Sequence, residues 1–264
     1  MWDNITTWEM VLPPSRPSSK QLSRIREGLA EVNRNAPVAV LGSTPEFRDL
    51  LYECGFKQIF LLEKNRTFYE EVSKLRIYAN EEVVLWGDWL EVLPKQNGRF
   101  AAILSDLTSG NVSYADRKDF YQMIGDALGN KGIFFDKVLT HPLTHLRVDD
   151  LLEKYANLAL NLLHINNFSC EMLFCSELLN LKEQVDSTLF YSILGSRTAN
   201  PRVQAFLKKA ELITAKGCVW WYGRNWDALK DYYCPTLKSL CVEEDETESP
   251  YYGRLKFFTF VRKN

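Results

Sequence analysis

The sequence predicts an α/β protein in which a mostly parallel sheet is covered by helices on both faces, and three observations predict it. Strand-like and helix-like segments alternate from Val38 to Val138, the order of a sheet built from crossover units. The strand-like runs are apolar without interruption, as in Val38-Ala39-Val40-Leu41, the pattern of strands buried on both faces. Short turn signals such as Gly42, Gly55 and Gln96-Asn97-Gly98 separate them.

Taken in order, Trp2 to Pro17 holds two tryptophans and a Pro-Pro-Ser-Arg-Pro run, so it is expected to be extended and laid over the rest. Ser18 and Gln21 suit a capping box for a helix whose stripe is Leu22, Ile25, Leu29 and Val32. After the Val38 strand, Gly42 permits a sharp turn. Thr44 fits an N-cap, Pro45 the first helical position and Glu46 the electropositive first turn. Phe47, Leu50, Leu51 and Cys54 continue that helix to Gly55. A strand at Gln58 to Leu62, a helix from Arg66 to Tyr78 capped by Asn65 and a strand at Val83 to Trp86 follow. Next come a strand at Phe100 to Leu104, a helix capped by Ser113 and bearing Phe120, Met123, Ile124 and Leu128, and a fifth strand at Gly132 to Val138.

The alternation then stops. From Thr140 to Tyr222 the pattern is mainly helical, with Val148, Leu151, Leu152, Tyr155 and Leu158 on one face, a helix from Ser169 to about Lys182, and Asn200-Pro201 opening another. Asn225 suits the cap of a short helix before Cys234-Pro235. Leu237 to Val242 and Leu255 to Val261 then read as an antiparallel hairpin at the sheet edge. The organisation expected is an N-terminal cap segment and helix (1–36), an α/β core (37–140), a helical insertion or lid (141–233) and a C-terminal hairpin completing the sheet (234–264).

A net charge of -2 over 264 residues gives no electrostatic footprint for nucleic acid or an anionic membrane. Six scattered cysteines form no CxxC pair or Cys/His cluster, so no metal site is expected, and they read as reduced core residues. The N-terminus lacks the basic and apolar regions of a signal peptide, and no apolar run approaches membrane-spanning length. The cytoplasm is the expected compartment.

Each early strand ends near a carboxylate: Glu46, Glu63, Asp88 and Asp106. Glu63 lies about 20 residues beyond Gly42, where nucleotide-binding α/β folds place an acid for ribose hydroxyls. A dinucleotide would bring a pyrophosphate against Glu46 in a loop with one glycine, which disfavours it. S-adenosylmethionine is net cationic and carries no phosphate, so an acid-rimmed crevice suits it better.

The segments Val40-Leu41-Gly42-Ser43-Thr44-Pro45-Glu46, Leu61-Leu62-Glu63-Lys64-Asn65, Gly87-Asp88-Trp89 and Ser105-Asp106-Leu107 resemble the class I S-adenosylmethionine-dependent methyltransferases, in a divergent branch where Gly-x-Thr-Pro-Glu replaces the glycine-rich loop. The resemblance covers Pro37 to Val138 and the tail. It implies a Rossmann-like sheet, mostly parallel with an antiparallel C-terminal hairpin, and a helical lid. It also implies that the cofactor is held by Gly42, Ser43, Thr44, Glu46, Glu63, Lys64, Gly87, Asp88, Trp89 and Asp106. Glu63 would then accept from the ribose and Asp88 from the adenine amino group, with Trp89 packed beside the ring. Asp106 would lie near the methionine amine or methyl, as a catalytic candidate.

The acceptor side would be built from the N-terminal segment and the insertion, where Trp8, Arg16, Trp221 and Tyr222 are candidates. Aromatics there either enclose a flat or cationic acceptor or simply pack the lid. His141 and His145 are candidate general bases, as is Asp136. Their His-x3-His spacing, interrupted by Pro142 and without a third ligand, does not make a metal site. Asp106 is followed by Leu-Thr, not by the Pro-Pro-aromatic signature of DNA amino-methyltransferases. The expected function is therefore methyl transfer to a nitrogen or oxygen of a small molecule, without DNA or membrane partners and with a homodimer admitted. The alternatives are an inactive methyltransferase-like scaffold, a protein or RNA methyltransferase and a nicotinamide-dependent oxidoreductase.

Overall fold

The structure, a computed structural model, describes residues 5–78, 81–139, 146–178, 184–221, 226–233, 235–244 and 255–263. Its centre is a seven-stranded sheet. Strands β1 (Val38–Leu41), β2 (Ile59–Glu63), β3 (Val83–Trp86), β4 (Phe100–Asp106) and β5 (Leu128–Leu139) are parallel, in the order β3-β2-β1-β4-β5. Two short strands, β6 (Val185–Asp186) and β7 (Val219–Trp220), form a separate antiparallel pair. The tail adds β8 (Leu237–Glu244) and β9 (Leu255–Arg262). The last strand enters antiparallel between β5 and β8, so the hairpin closes one edge of the sheet.

Residue alternation distributes the core, because successive side chains on a strand point to opposite faces. Val38 and Val40 face Ile25 of α2 (Ser19–Gly28, preceded by α1, Ile5–Met10), Leu29 just beyond it, and Phe47, Leu50 and Leu51 of α3 (Pro45–Glu53). Ala39 and Leu41 face the other way, toward a core completed by α5 (Trp89–Val92), α6 (Arg117–Ala127) and α11 (Trp226–Tyr233). Between β2 and β3, α4 (Arg66–Ser73) is capped by Asn65, whose Oδ1 accepts from the Phe68 amide. The helical block, α7 (Val148–Asn157), α8 (Leu162–Met172), α9 (Ser187–Arg197) and α10 (Pro201–Ala210), has its own core. Val11 of the N-terminal segment is inserted in it.

Several local expectations are corrected. The N-terminal segment is not extended throughout: prolines begin only at Pro13, and Ile5–Met10 is free to form α1. Helix α4 stops at Ser73, not Tyr78, because the Asp49 carboxylate takes the amides of Ile77 and Tyr78. Helix α8 starts at Leu162, not Ser169. Asn161 caps it, and the exposed Leu160, Leu162 and Leu163 blur the periodicity of its buried face. Leu128 opens β5, and α6 begins after Asp116, whose amide and carboxylate bond the Ser113 hydroxyl. Thr44 occupies the N-cap position of α3 without a side-chain cap bond, and only the Ser18 half of the expected capping box forms. The proposed cap Asn225 lies outside the described residues.

Candidate functional site

A cavity of about 520 Å³ opens over the carboxyl ends of β1, β2 and β4, where ligands sit in open α/β sheets. Its floor is Leu41 to Thr44, Glu63 to Asn65 and Asp106 to Thr108, with Trp89 and Phe68 at one side. Its roof comes from Trp8 and Ser15 of the N-terminal segment and from the helical block, including Ser169, Leu173, Ile213 and Trp220.

The floor is shaped by Gly42 and Glu63. Gly42 has φ +94°, a conformation L side chains rarely adopt, and a Cβ there would stand 3.9 Å from Glu63 Oε2. Glu63 is buried at the end of β2. Its Oε1 accepts from the amides of Lys64 and Asn65 (2.8 Å each), and its Oε2 accepts from the Ser43 hydroxyl at 2.9 Å. Two rigid amides thus fix the carboxylate plane, while the third donor is a hydroxyl that can rotate. An ionised carboxylate offers about four acceptor sites, so Glu63 retains capacity for a ligand hydroxyl.

The other three acids are balanced by cations. Glu46 does not line the cavity; its Oε1 accepts from Trp8 Nε1 at 3.2 Å and is ion-paired with Arg16. Arg16 does not line the cavity either; its guanidinium lies 5.8 Å from the Trp8 ring centroid. Asp88 caps α5 through the Leu90 amide and pairs with Lys64 at 2.8 Å. The Lys64 bond and the Leu90 amide hold its carboxyl below the usual carboxylate value against a desolvation that acts the other way. Neither Asp88 nor Gly87 lines the cavity. Asp106 does, but its Oδ1 lies 2.5 Å from Lys137 Nζ in a pair that is almost wholly buried. Lys137 also donates to the carbonyls of Pro14 (2.7 Å) and Arg16 (3.3 Å). The pair therefore fastens the N-terminal segment over the sheet, and the crevice is not the net acidic one expected from strand-end acids alone.

Of the residues singled out in the sequence, Gly42, Ser43, Thr44, Glu63, Lys64, Trp89, Asp106 and Trp8 come together around the cavity. Trp89 turns its ring to it while Nε1 donates to the Leu62 carbonyl at 2.8 Å. Trp221 does not line it. Its amide donates to Gly110 O and its carbonyl accepts from the buried Arg117, both on or near the loop after β4, and Trp220 is the lining residue instead. His141, His145 and Tyr222 lie outside the described residues. Asp136 is fully buried on β5 and does not line the cavity. Burial pushes its carboxyl up to about 7 against the stabilising bond from Tyr121 (2.8 Å), so it is a core acid. Sequence reasoning missed Phe68, Asn111 and Ser169. Asn65 carried a cap signal, and Phe68 follows it by three residues; nothing in the pattern pointed to Ser169.

Among the described residues, no three His, Cys, Asp or Glu side chains gather to hold a metal ion, and no helix is long and apolar enough to cross a membrane. No protein-family model matches the chain, and no curated protein matches it. Solved structures do. A Rhodobacter sphaeroides protein assigned provisionally as a Zn-dependent alcohol dehydrogenase is 11% identical with a TM-score of 0.61, covering 98% of this chain and 95% of its own. An S-adenosylmethionine-dependent methyltransferase from Mesorhizobium loti is 13% identical with a TM-score of 0.54, covering 93% and 98%. The N-methyltransferase NodS of Bradyrhizobium japonicum, in complex with S-adenosylhomocysteine, is 6% identical with a TM-score of 0.54 and covers both chains fully. At such identities the likeness is one of fold. The strand order, the antiparallel insertion of the last strand and the two methyltransferase neighbours agree: the chain has the class I S-adenosylmethionine-dependent methyltransferase fold.

Proposed function

We propose that the chain binds S-adenosylmethionine over the ends of β1 and β2 and catalyses transfer of its methyl group to a nitrogen or oxygen of a small molecule held beneath the helical block. The observation that carries this reading is the pairing of Gly42 with Glu63: a glycine that leaves the floor open beside a buried, oriented carboxylate with acceptor capacity left. When bound, the cofactor supplies an electrophilic methyl on a sulfonium, which is transferred by in-line displacement.

In this reading Glu63 accepts from a ribose hydroxyl, Gly42 and Ser43 admit the methionine part, and Trp89 and Phe68 wall the adenine. Asp106, neutralised by Lys137, orients the loop after β4 instead of taking a proton. The roof excludes water, which aligns the acceptor and removes competing hydration. Nothing in the described floor needs to act as a general base. One neighbour, NodS, is described as an N-methyltransferase, which is consistent with a nitrogen acceptor.

The test is transfer of a tritium-labelled methyl from S-adenosylmethionine into size-fractionated cell extract by the intact protein. Label in the small-molecule fraction is expected. Label confined to protein or RNA, or no transfer to any fraction, contradicts the proposed acceptor class.

A further inference from the structure

The acceptor half of the cavity differs chemically from the cofactor half. Among the described residues, every charged one that lines the cavity, Glu63, Lys64 and Asp106, belongs to the sheet end. The described roof presents instead Leu173, Ile213, Val219, Trp8 and Trp220, with small polar groups between them. Burying a charge against such a surface without a partner is costly, so an ionised acceptor is disfavoured there.

The polar groups of α8, of which only Ser169 and Cys170 line the cavity, can be followed one by one. Asn166 is saturated: its Oδ1 accepts from the Leu12 amide, and its Nδ2 donates to the Met10 and Leu162 carbonyls, all at 2.9 Å. Glu171 is paired with Lys154 at 2.6 Å. Cys170 has the Ser15 hydroxyl 3.8 Å from its sulfur. Ser169 differs. One helical turn beyond Asn166, it lines the cavity, is 3% exposed, and its hydroxyl has no hydrogen-bond partner among the described residues. A buried orphan hydroxyl in a helix interior costs free energy and adds nothing to the helix that alanine would not. A molecule bound in the cavity would complete it.

From this geometry we infer that the acceptor is an uncharged, predominantly apolar, flat small molecule with one hydrogen-bonding group, and that the Ser169 hydroxyl is the specificity-determining contact for that group. This deepens the methyltransferase reading and rests on it. Ser169 recognises the molecule; the methyl is received by the face turned to the floor.

Four probes sharing one ring system test the inference on the intact protein: 2-naphthol, unsubstituted naphthalene, anionic 2-naphthoate and cationic naphthalen-2-ylmethylammonium. Each is titrated by ligand-observed NMR with and without saturating S-adenosylhomocysteine. The expected order is naphthol tightest, with each charged probe at least roughly ten-fold weaker. Ser169→Ala is expected to lose roughly ten-fold for naphthol and nothing for naphthalene, while the ligand-free variant melts at or above the wild-type temperature. A hydroxyl serving only the fold would lower that temperature and leave the probe order unchanged. Charged probes binding as well as naphthol, wild-type naphthol binding by Ser169→Ala, or no probe binding at all overturns the inference. Calorimetry of the same sample with S-adenosylhomocysteine reads the cofactor separately. Cofactor binding with the wrong probe order defeats only the acceptor class; no cofactor binding defeats the methyltransferase reading.

Discussion

Asp136 shows how a residue can carry a signal of chemistry and serve the core instead. In the folded chain its carboxyl keeps the proton up to about 7, against 3.8 for the ordinary group. Between those values the native state binds more protons than the unfolded chain, so stability falls as pH rises through the window and levels off above it. The loss is on the order of 4 kcal/mol at most. Asp136→Asn retains an acceptor for the Tyr121 hydroxyl and has no proton to lose. Its stability in urea unfolding is expected to be nearly flat from about pH 5 to about pH 8, where the wild type weakens; equal slopes would contradict the assignment. Gly42→Ala belongs to the same scale. The positive φ strains it by about 1 kcal/mol, and thermal melting should register that loss together with weaker cofactor binding. Glu63 and Gly42 were legible in the sequence because a turn glycine and a strand-end acid have a fixed spacing. The partners that neutralise Glu46 and Asp106 were not. Arg16 and Lys137 reach them across 30 and 31 positions of chain, and no periodicity encodes such pairing.

At the scale of elements, the N-terminal segment acts as a strap held at two points. One is the Trp8 and Arg16 contact with Glu46, where the segment meets the first turn of α3. The other is the buried Asp106–Lys137 pair, which anchors the carbonyls of Pro14 and Arg16. Lys137→Met takes away the cation that compensates the buried Asp106 and is expected to cost about 3–5 kcal/mol. The double variant Asp106→Asn/Lys137→Met removes that penalty and should recover a large part of the loss. Equal losses in chemical denaturation for the single and double variants would show that the pair is not coupled. The strap also explains why the sequence misled about Trp2 to Pro17: the proline run suggested an extended segment, whereas the stretch before it is free to coil into α1 and dock Val11 in the helical block.

For the molecule as a whole, the sheet was readable strand by strand, whereas the block above it was readable as helical, with α7 and the Asn200-Pro201 start of α10 as expected, but not in the bounds of α8, for one physical reason. Parallel strands buried on both faces need apolar residues at nearly every position, as in Val38–Leu41 and in β2 up to its terminal Glu63, and that signal survives without structural context. Helices of the block bury one side against neighbours distant in sequence and leave leucines such as Leu163 in solvent, so their boundaries depend on packing that the pattern does not contain. Two layers follow. The sheet end offers oriented polar groups, and the block and strap close an apolar roof over them.

The central claim is that this closed crevice is an S-adenosylmethionine site with Glu63 at its floor. Isothermal titration of the intact protein with S-adenosylhomocysteine tests it most directly. Saturable one-to-one binding is expected, weakened roughly ten-fold or more in Glu63→Gln, whose fold and melting curve remain close to wild type. Absence of binding to the folded wild-type chain, or undiminished affinity in Glu63→Gln, contradicts it.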